Sequence, residues 1–303
     1  MRSLKSGIFF FGLLNFISVN AQFGVYDDVS RYNIKFGAGM TTYYGDLQEN
    51  ARFIDAKTSL WEINGGLTYD ISEKFLMRLD LSFLELQGAD KNSSRPDLAK
   101  RNLSFRTYVY ELSLAGQYDF LNTKKFKHQL APYLFGGVGF IHFNPWTIDR
   151  TGEKVYLHNL HTEGLGLASF PKKKQYSLWQ PTITLGAGIK YAITQTLSIH
   201  AEFWWRYIFT DYLDDVGGKY PDPIVLLNDK GLVDPAKTIG LTWRRDEIDP
   251  NDRYQSFHQN VQRGGSLNDI YHSVNVSFYL NFKDIPFLDN RSSLSPHGNH
   301  SKK

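Results

Sequence analysis

The stretch Asn33-Ile34-Lys35-Phe36-Gly37-Ala38-Gly39-Met40-Thr41-Thr42-Tyr43-Tyr44 carries mostly apolar residues at even positions and polar residues or glycine at odd ones. A β-strand sends successive side chains to opposite faces, so this segment has one greasy side and one wet side. Seven further strand-length stretches follow, six of them with the same alternation. Trp61, Ile63, Gly65, Leu67 and Tyr69 oppose Glu62, Asn64, Gly66 and Thr68, and Met77, Leu79, Leu81 and Phe83 oppose Arg78, Asp80 and Ser82. Tyr108, Tyr110, Leu112 and Leu114 oppose Thr107, Val109, Glu111 and Ser113. Three later stretches place Lys190, then His200, Glu202, Trp204 and Arg206, then Ser273, Asn275 and Ser277 opposite an apolar set. A stretch near Leu130 to Phe143 is apolar on both faces and leaves its register open.

The N-terminus reads as an export signal. Arg2 and Lys5 precede the apolar run Ile8 to Leu14, and Val19-Asn20-Ala21 supplies a small-residue cleavage site before Gln22. That run is too short for a retained membrane helix. Eight amphipathic strands behind such a leader point to a closed sheet, because lipid offers no water to an unpaired strand edge. The expected fold is all-β: an eight-stranded antiparallel up-and-down transmembrane β-barrel with long extracellular loops. The expected division is a signal peptide over 1–21, the barrel over 22–283 and a periplasmic tail over 284–303.

Connection lengths carry an independent signal. The links Asp70 to Lys74, Asp119 to Gln129 and Ala192 to Thr196 are the shorter ones, whereas 46–59, 88–104, 144–178 and 211–269 are long. Outer-membrane barrels alternate short periplasmic turns with long external loops and keep both termini periplasmic. The chain is therefore expected to be integral to the cell outer membrane with its termini inside.

Composition excludes several classes. With Arg2 and Lys5 removed, 32 basic residues of the 34 face 31 acidic ones, a balance that gives no support for nucleic-acid binding. The absence of cysteine rules out disulfides, a thiol nucleophile and cysteine-ligated metal. The 18 Tyr, 22 Phe and 6 Trp suit interfacial girdles and cross-strand pairs. A mean hydropathy of −0.38 fits a barrel, in which only alternate strand residues meet lipid.

A barrel of this size is filled by its own side chains. The inward charges Lys35, Arg78, Lys190 and Arg206 nearly balance Glu62, Asp80, Glu111 and Glu202. Together with His200 they form the expected lumen network, which cross-ties the barrel and leaves no conducting pore. An acid–base site needs such groups too, but a filled lumen needs them merely to satisfy one another. Glycines such as Gly136, Gly137 and Gly139 relieve lumen crowding or admit a bend.

His158-Asn159-Leu160-His161 with Glu163 lacks a zinc-motif spacing and reads as a solvated loop. Asp211, Asp214, Asp215 and Asp222 offer the oxygens calcium takes, without an EF-hand spacing. Lys172-Lys173-Lys174 reads as a solvated run within reach of lipid headgroups. No nucleophile elbow, phosphate loop or dinucleotide fingerprint stands in a fitting context, so no catalytic residue, cofactor or metal is assigned.

Four segments carry a family resemblance: Tyr43-Tyr44-Gly45-Asp46-Leu47; Pro132 to Phe140 with His142-Phe143-Asn144-Pro145; His161-Thr162-Glu163-Gly164; and Phe209 to Val216. They resemble the DUF6089-like small outer-membrane barrels of Bacteroidota that include PorG of the type IX secretion system. The resemblance implies a non-enzymatic accessory of protein secretion in contact with outer-membrane lipid. It also implies contact with a periplasmic ring of a PorK-like lipoprotein and PorN-like subunits. Only the turns and the tail face such a ring. The basic turn group Lys124, Lys125 and Lys127 around Phe126, with Phe287 in the tail, is the expected contact. The alternative is a structural or adhesin-like surface barrel with ligand-binding loops.

Overall fold

The computed structural model describes residues 31–48, 58–121, 130–194, 196–265 and 267–281. The strands are β1 (Tyr32–Tyr44), β2 (Leu60–Asp70), β3 (Phe75–Ala89), β4 (Ser104–Asp119), β5 (Leu130–Phe143), the short β6 (Trp146–Ile148) and β7 (Lys154–Tyr156), β8 (Trp179–Ala192), β9 (Leu197–Ile208) and β10 (Ile270–Asn281). Every pairing is antiparallel. The order β3-β2-β1-β10-β9-β8-β5-β4 closes on itself through β3 against β4, giving an eight-stranded ring. The β6–β7 hairpin is joined to β4 through the pair Arg106 and Trp146.

The alternation of the sequence becomes the inside and outside of this ring. Phe36, Leu81, Val138 and Phe140 point outward and are each at least 60% exposed, whereas Lys35, Arg78 and Arg206 point inward at 0%. Aromatic residues mark two levels on the outer surface. Phe83, Tyr110, His142 and Trp179 stand directly opposite one another on β3, β4, β5 and β8. Trp61 packs on Phe83 at 5.0 Å between ring centroids. At the short-turn end, Tyr32 packs on Tyr69 at 5.0 Å and Phe75 on Tyr118 at 4.9 Å. Tyr110 and Tyr118 lie eight residues apart on β4, about 26 Å of strand at 3.3 Å per residue. At the strand tilt of outer-membrane barrels, about 35–45°, this projects to about 20 Å along the barrel axis, against an apolar band about 25 Å tall. No helix among the described residues is long and apolar enough to span a membrane; here strands do so.

The open register of β5 resolves with Tyr133, Phe135, Ile141 and Phe143 inward and Leu134, Val138 and Phe140 outward. Glycine on the facing strand makes this arrangement possible. A Cβ at Gly186 would sit 2.1 Å from the Phe135 ring, and one at Gly188 would sit 2.4 Å from the Tyr133 ring.

The long connections gather at one end and form a roof. It holds α1 (Pro96–Arg101), α2 (Pro223–Leu227) and α3 (Pro235–Thr242). The last two lie in a stretch that the sequence pattern reads as loop, yet each begins with an aspartate capping a helix that opens on proline. Asp222 Oδ1 accepts from the Ile224 amide at 2.8 Å, and Asp234 Oδ1 accepts from the Lys237 amide at 2.9 Å. Beneath the roof, Leu84, Leu86, Phe105, Val109, Ile141, Phe143, Leu213, Val216 and Leu241 pack into an apolar plug.

Candidate functional site: a filled lumen under a hydrogen-bonded roof

The nine ionisable residues of the expected lumen network are all buried inside the ring, none more than 6% exposed. They divide into layers. Nearer the short turns, Lys35 Nζ lies 3.0 Å from Asp80 and 3.1 Å from Glu202, and Arg78 bridges Asp80 at 3.1 Å and Glu202 at 2.9 Å. Glu202 also accepts from the hydroxyls of Tyr133 at 2.6 Å and Tyr279 at 3.0 Å. His200 Nδ1 stands 3.0 Å from the Tyr133 hydroxyl, and its ring stacks on Tyr279 at 3.7 Å. Nearer the roof, Arg206 lies between Glu62 and Glu111, 2.8 Å from each, and donates to Ser273 Oγ at 2.7 Å. Trp204 separates the layers with three cations around its ring: Lys35 at 4.4 Å, Arg206 at 4.6 Å and Arg78 at 4.9 Å.

Lys190 does not join this central set. It pairs with Asp119, which also accepts from Gln117 at 2.6 Å. The sequence pattern places Asp119 in a turn, but it is the last residue of β4 and only 2% exposed. A small cavity of about 60 Å³ lies at the short-turn end and is lined by Lys190, His200 and Tyr279. Tyr133, Tyr271 and Tyr279 escape a sequence reading because a tyrosine counts as apolar there. Parity is the available signal for the last two: both share the odd numbering of Ser273, Asn275 and Ser277.

The roof overturns the solvated reading of the loop around Glu163 and, in the lysine run, that of Lys173, whereas Lys172 and Lys174 are exposed as expected. Glu163 is 1% exposed; it pairs with Arg263 at 3.0 Å and accepts from the amides of Gly217 and Gly218, each at 3.2 Å. His158 and His161 each place a ring nitrogen against a backbone carbonyl, of Tyr176 at 3.0 Å and Leu165 at 2.6 Å. Lys173 is no solvated residue either: it reaches the Glu163 carbonyl at 2.7 Å, and burial pushes its ammonium pKa down. Asp214 and Asp215 are buried, while Asp222 is the cap of α2. Among the described residues no three His, Asp or Glu side chains form a group suited to a metal ion.

Tyr43 ties the roof to the barrel wall. Its hydroxyl stands 2.7 Å from both Asp214 Oδ2 and Asp269 Oδ1. The other oxygens of these carboxyls accept from the Val216 and Leu213 amides, each at 2.9 Å. A phenol has one proton to donate, so both contacts form only when one carboxyl carries a proton of its own. Burial agrees, raising the pKa of Asp214 and Asp269 far above the usual carboxylate range, with Asp46 adding like charge. Burial together with Asp46, Asp269 and Glu163 pushes Asp211 up to about 8. Asp215, which accepts from Thr162 at 2.5 Å and Tyr176 at 2.8 Å, is pushed by burial up to about 6. Three of the four segments that carry the family resemblance thus meet in one roof: Tyr43 and Asp46, Thr162 and Glu163, and Asp211 to Asp215. The fourth lines the lumen through Tyr133 and Phe135.

Lys124, Lys125, Phe126, Lys127 and Phe287 lie outside the described residues, as does the leader 1–21.

These features define a transmembrane β-barrel of the outer-membrane type, with a lumen filled by ion pairs and an apolar plug. Residues 8–223 match the family described as Domain of unknown function (DUF6089), and the chain belongs to that family. Solved structures similar to it include Neisserial surface protein A, at 10% identity and TM-score 0.40, covering 84% of this chain and 100% of that one. A major outer membrane protein from Thermus thermophilus is 10% identical with TM-score 0.37, covering 82% and 99%. The outer membrane enzyme PagL is 11% identical with TM-score 0.31, covering 82% and 98%. Likeness at this level decides nothing about chemistry. No curated protein matches the chain.

Proposed function

We propose that this protein is a non-enzymatic, non-conducting barrel of the cell outer membrane that serves type IX protein secretion as an accessory. Its short-turn end faces the periplasm and engages a ring of PorK-like lipoprotein and PorN-like subunits through Lys124, Lys125, Phe126, Lys127 and Phe287. The observation that carries the contact-only reading is the double closure of the lumen, by the Lys35–Arg78–Glu202 and Arg206–Glu62–Glu111 layers. A barrel so filled acts through its surfaces. The secretion assignment is supported by the resemblance of the four sequence segments to PorG-containing barrels. The test is affinity purification from native outer membranes, together with a deletion strain. Ring proteins should co-purify, reversal of Lys124, Lys125 and Lys127 to Glu should weaken their recovery at unchanged barrel abundance, and deletion should strand type IX cargo inside the cell. Normal secretion by the deletion strain, with no ring protein recovered, would overturn the assignment.

A second reading, a surface barrel with ligand-binding loops, is favoured by one observation. The roof contains a cleft of about 570 Å³ lined by Arg95, Arg101, Arg245 and Trp243, within the size range of small-ligand sites.

A further inference from the structure

The β6–β7 hairpin continues the barrel wall beyond the aromatic level set by Tyr110, His142 and Trp179. Its inward side belongs to the roof: Thr147 bonds Ser104 at 3.0 Å and Arg244 at 3.1 Å, and Val155 packs against the apolar plug. Strand alternation therefore sends Trp146, Ile148, Lys154 and Tyr156 outward, above Tyr108 on β4. Ile148 and Tyr156 are exposed apolar residues, as is Tyr108 below them.

Lys154 is exposed, and its ammonium sits over three rings: Trp146 at 4.2 Å, Tyr156 at 5.1 Å and Tyr108 at 5.5 Å. No carboxylate of the described residues pairs with it. The two acids nearest in sequence face Lys237 instead, Asp149 at 3.5 Å and Glu153 at 3.2 Å. Beside it, the Arg106 guanidinium lies 5.5 Å from the same Trp146 ring. Arg106 spends one amino group on Glu85 at 2.8 Å and has its Nε buried. Its side chain as a whole is 42% exposed, so its charge and outer guanidinium edge are what it offers on this side. A cation held by rings just outside a lipid-facing aromatic belt stands where a bilayer presents its headgroups.

We propose that Lys154, assisted by Arg106, is a binding site for the phosphate of a membrane lipid, whose acyl chains lie on Tyr108, Tyr110 and Phe83 below. Two features specify this occupant. The unpaired charge calls for an anion, and the apolar wall directly beneath calls for that anion to be anchored to hydrocarbon. The site requires only that the hairpin stand at the membrane boundary and does not depend on which leaflet the roof faces.

The test is native mass spectrometry of the full barrel released from detergent. The probes are phosphatidic acid, a diacylglycerol of the same chains, and inorganic phosphate as competitor. Variants are Lys154→Gln, Lys154→Arg, and Lys74→Gln at the opposite end of the barrel. Each is first shown to be folded by its heat-modifiable migration on gels. Wild type, Lys154→Arg and Lys74→Gln should retain phosphatidic acid at similar affinity. Lys154→Gln should bind it about tenfold more weakly, the loss of one charge-assisted contact. Diacylglycerol should bind wild type no better than Lys154→Gln. Equal retention by wild type and Lys154→Gln would overturn the site. Full displacement by inorganic phosphate would overturn the lipid as its occupant.

Discussion

Replacing Arg206 by Ala should be the most damaging single change in the lumen. The guanidinium is fully buried and lies 2.8 Å from each of two carboxylates, Glu62 and Glu111, which pair with no other cation among the described residues. Toward Glu111 its Nε is off the hydrogen-bond direction, so that attraction is mainly Coulombic. Removing one member of a buried pair costs about 3–5 kcal/mol, because the other charge stays desolvated without compensation. Here two carboxylates are left facing one another. Proton uptake by one of them keeps the total near that range instead of doubling it. Lost contacts with the Trp204 ring at 4.6 Å and the Tyr271 ring at 5.1 Å add to the upper side. The assay is equilibrium urea unfolding of the barrel in lipid vesicles, followed by tryptophan fluorescence and linear extrapolation. The triple variant Arg206→Met, Glu62→Gln, Glu111→Gln carries no charge at this level and should recover most of the loss. If Arg206→Ala costs less than about 1 kcal/mol, the value of a hydrated surface pair, then water fills this layer and the reasoning fails.

Two further outcomes follow from the roof and the plug. Carboxyls whose folded pKa is raised stabilise the roof fully at pH below their unfolded value near 4, and that contribution is lost as pH rises through the folded value. With Asp215 at about 6, Asp211 at about 8 and the Tyr43-linked Asp214 and Asp269 also raised, the roof should loosen from about pH 4 to about pH 8, the Asp215 part being complete near pH 6. Amide hydrogen exchange, corrected for its intrinsic pH dependence, should show falling protection of the Leu213 and Val216 amides over that window. Asp269→Asn should shift or flatten the change, and constant protection would count against the shared proton. In planar bilayers the reconstituted barrel should give no stable single-channel steps, and porin-sized steps would show that the two lumen layers do not close it.

The period-two alternation, the even number of strands and the contrast between short and long connections were all legible in the chain. Each is a local consequence of strand geometry and of which side meets lipid. The inward placement of Lys35, Glu62, Arg78, Asp80, Glu111, His200, Glu202 and Arg206 followed from parity alone. Parity failed on β5, where both faces are apolar: a small barrel can fill its lumen with Tyr133 and Phe135 wherever Gly186 and Gly188 leave room on the next strand. That complementarity belongs to two strands and is invisible in either one.

Sequence by itself therefore determined the class of fold and the sidedness of its strands, because a side chain's face depends only on its place in its own strand. Tertiary structure decided which charges meet and what the loops become. Lys190 finds Asp119 and leaves the central set because the two strands flanking β5 bring them to the same end of it, Asp119 opposite Tyr133 and Lys190 opposite Ala131. The acidic stretch from Asp211 to Asp215 reads, when taken alone, as loop oxygens of the kind calcium takes, without an EF-hand spacing. Its Asp214 and Asp215 are buried because Tyr43, more than 160 positions earlier, and Arg263, about 50 later, converge on them over the barrel mouth. A carboxylate's environment is set by whatever closes over it, and only the folded chain supplies that.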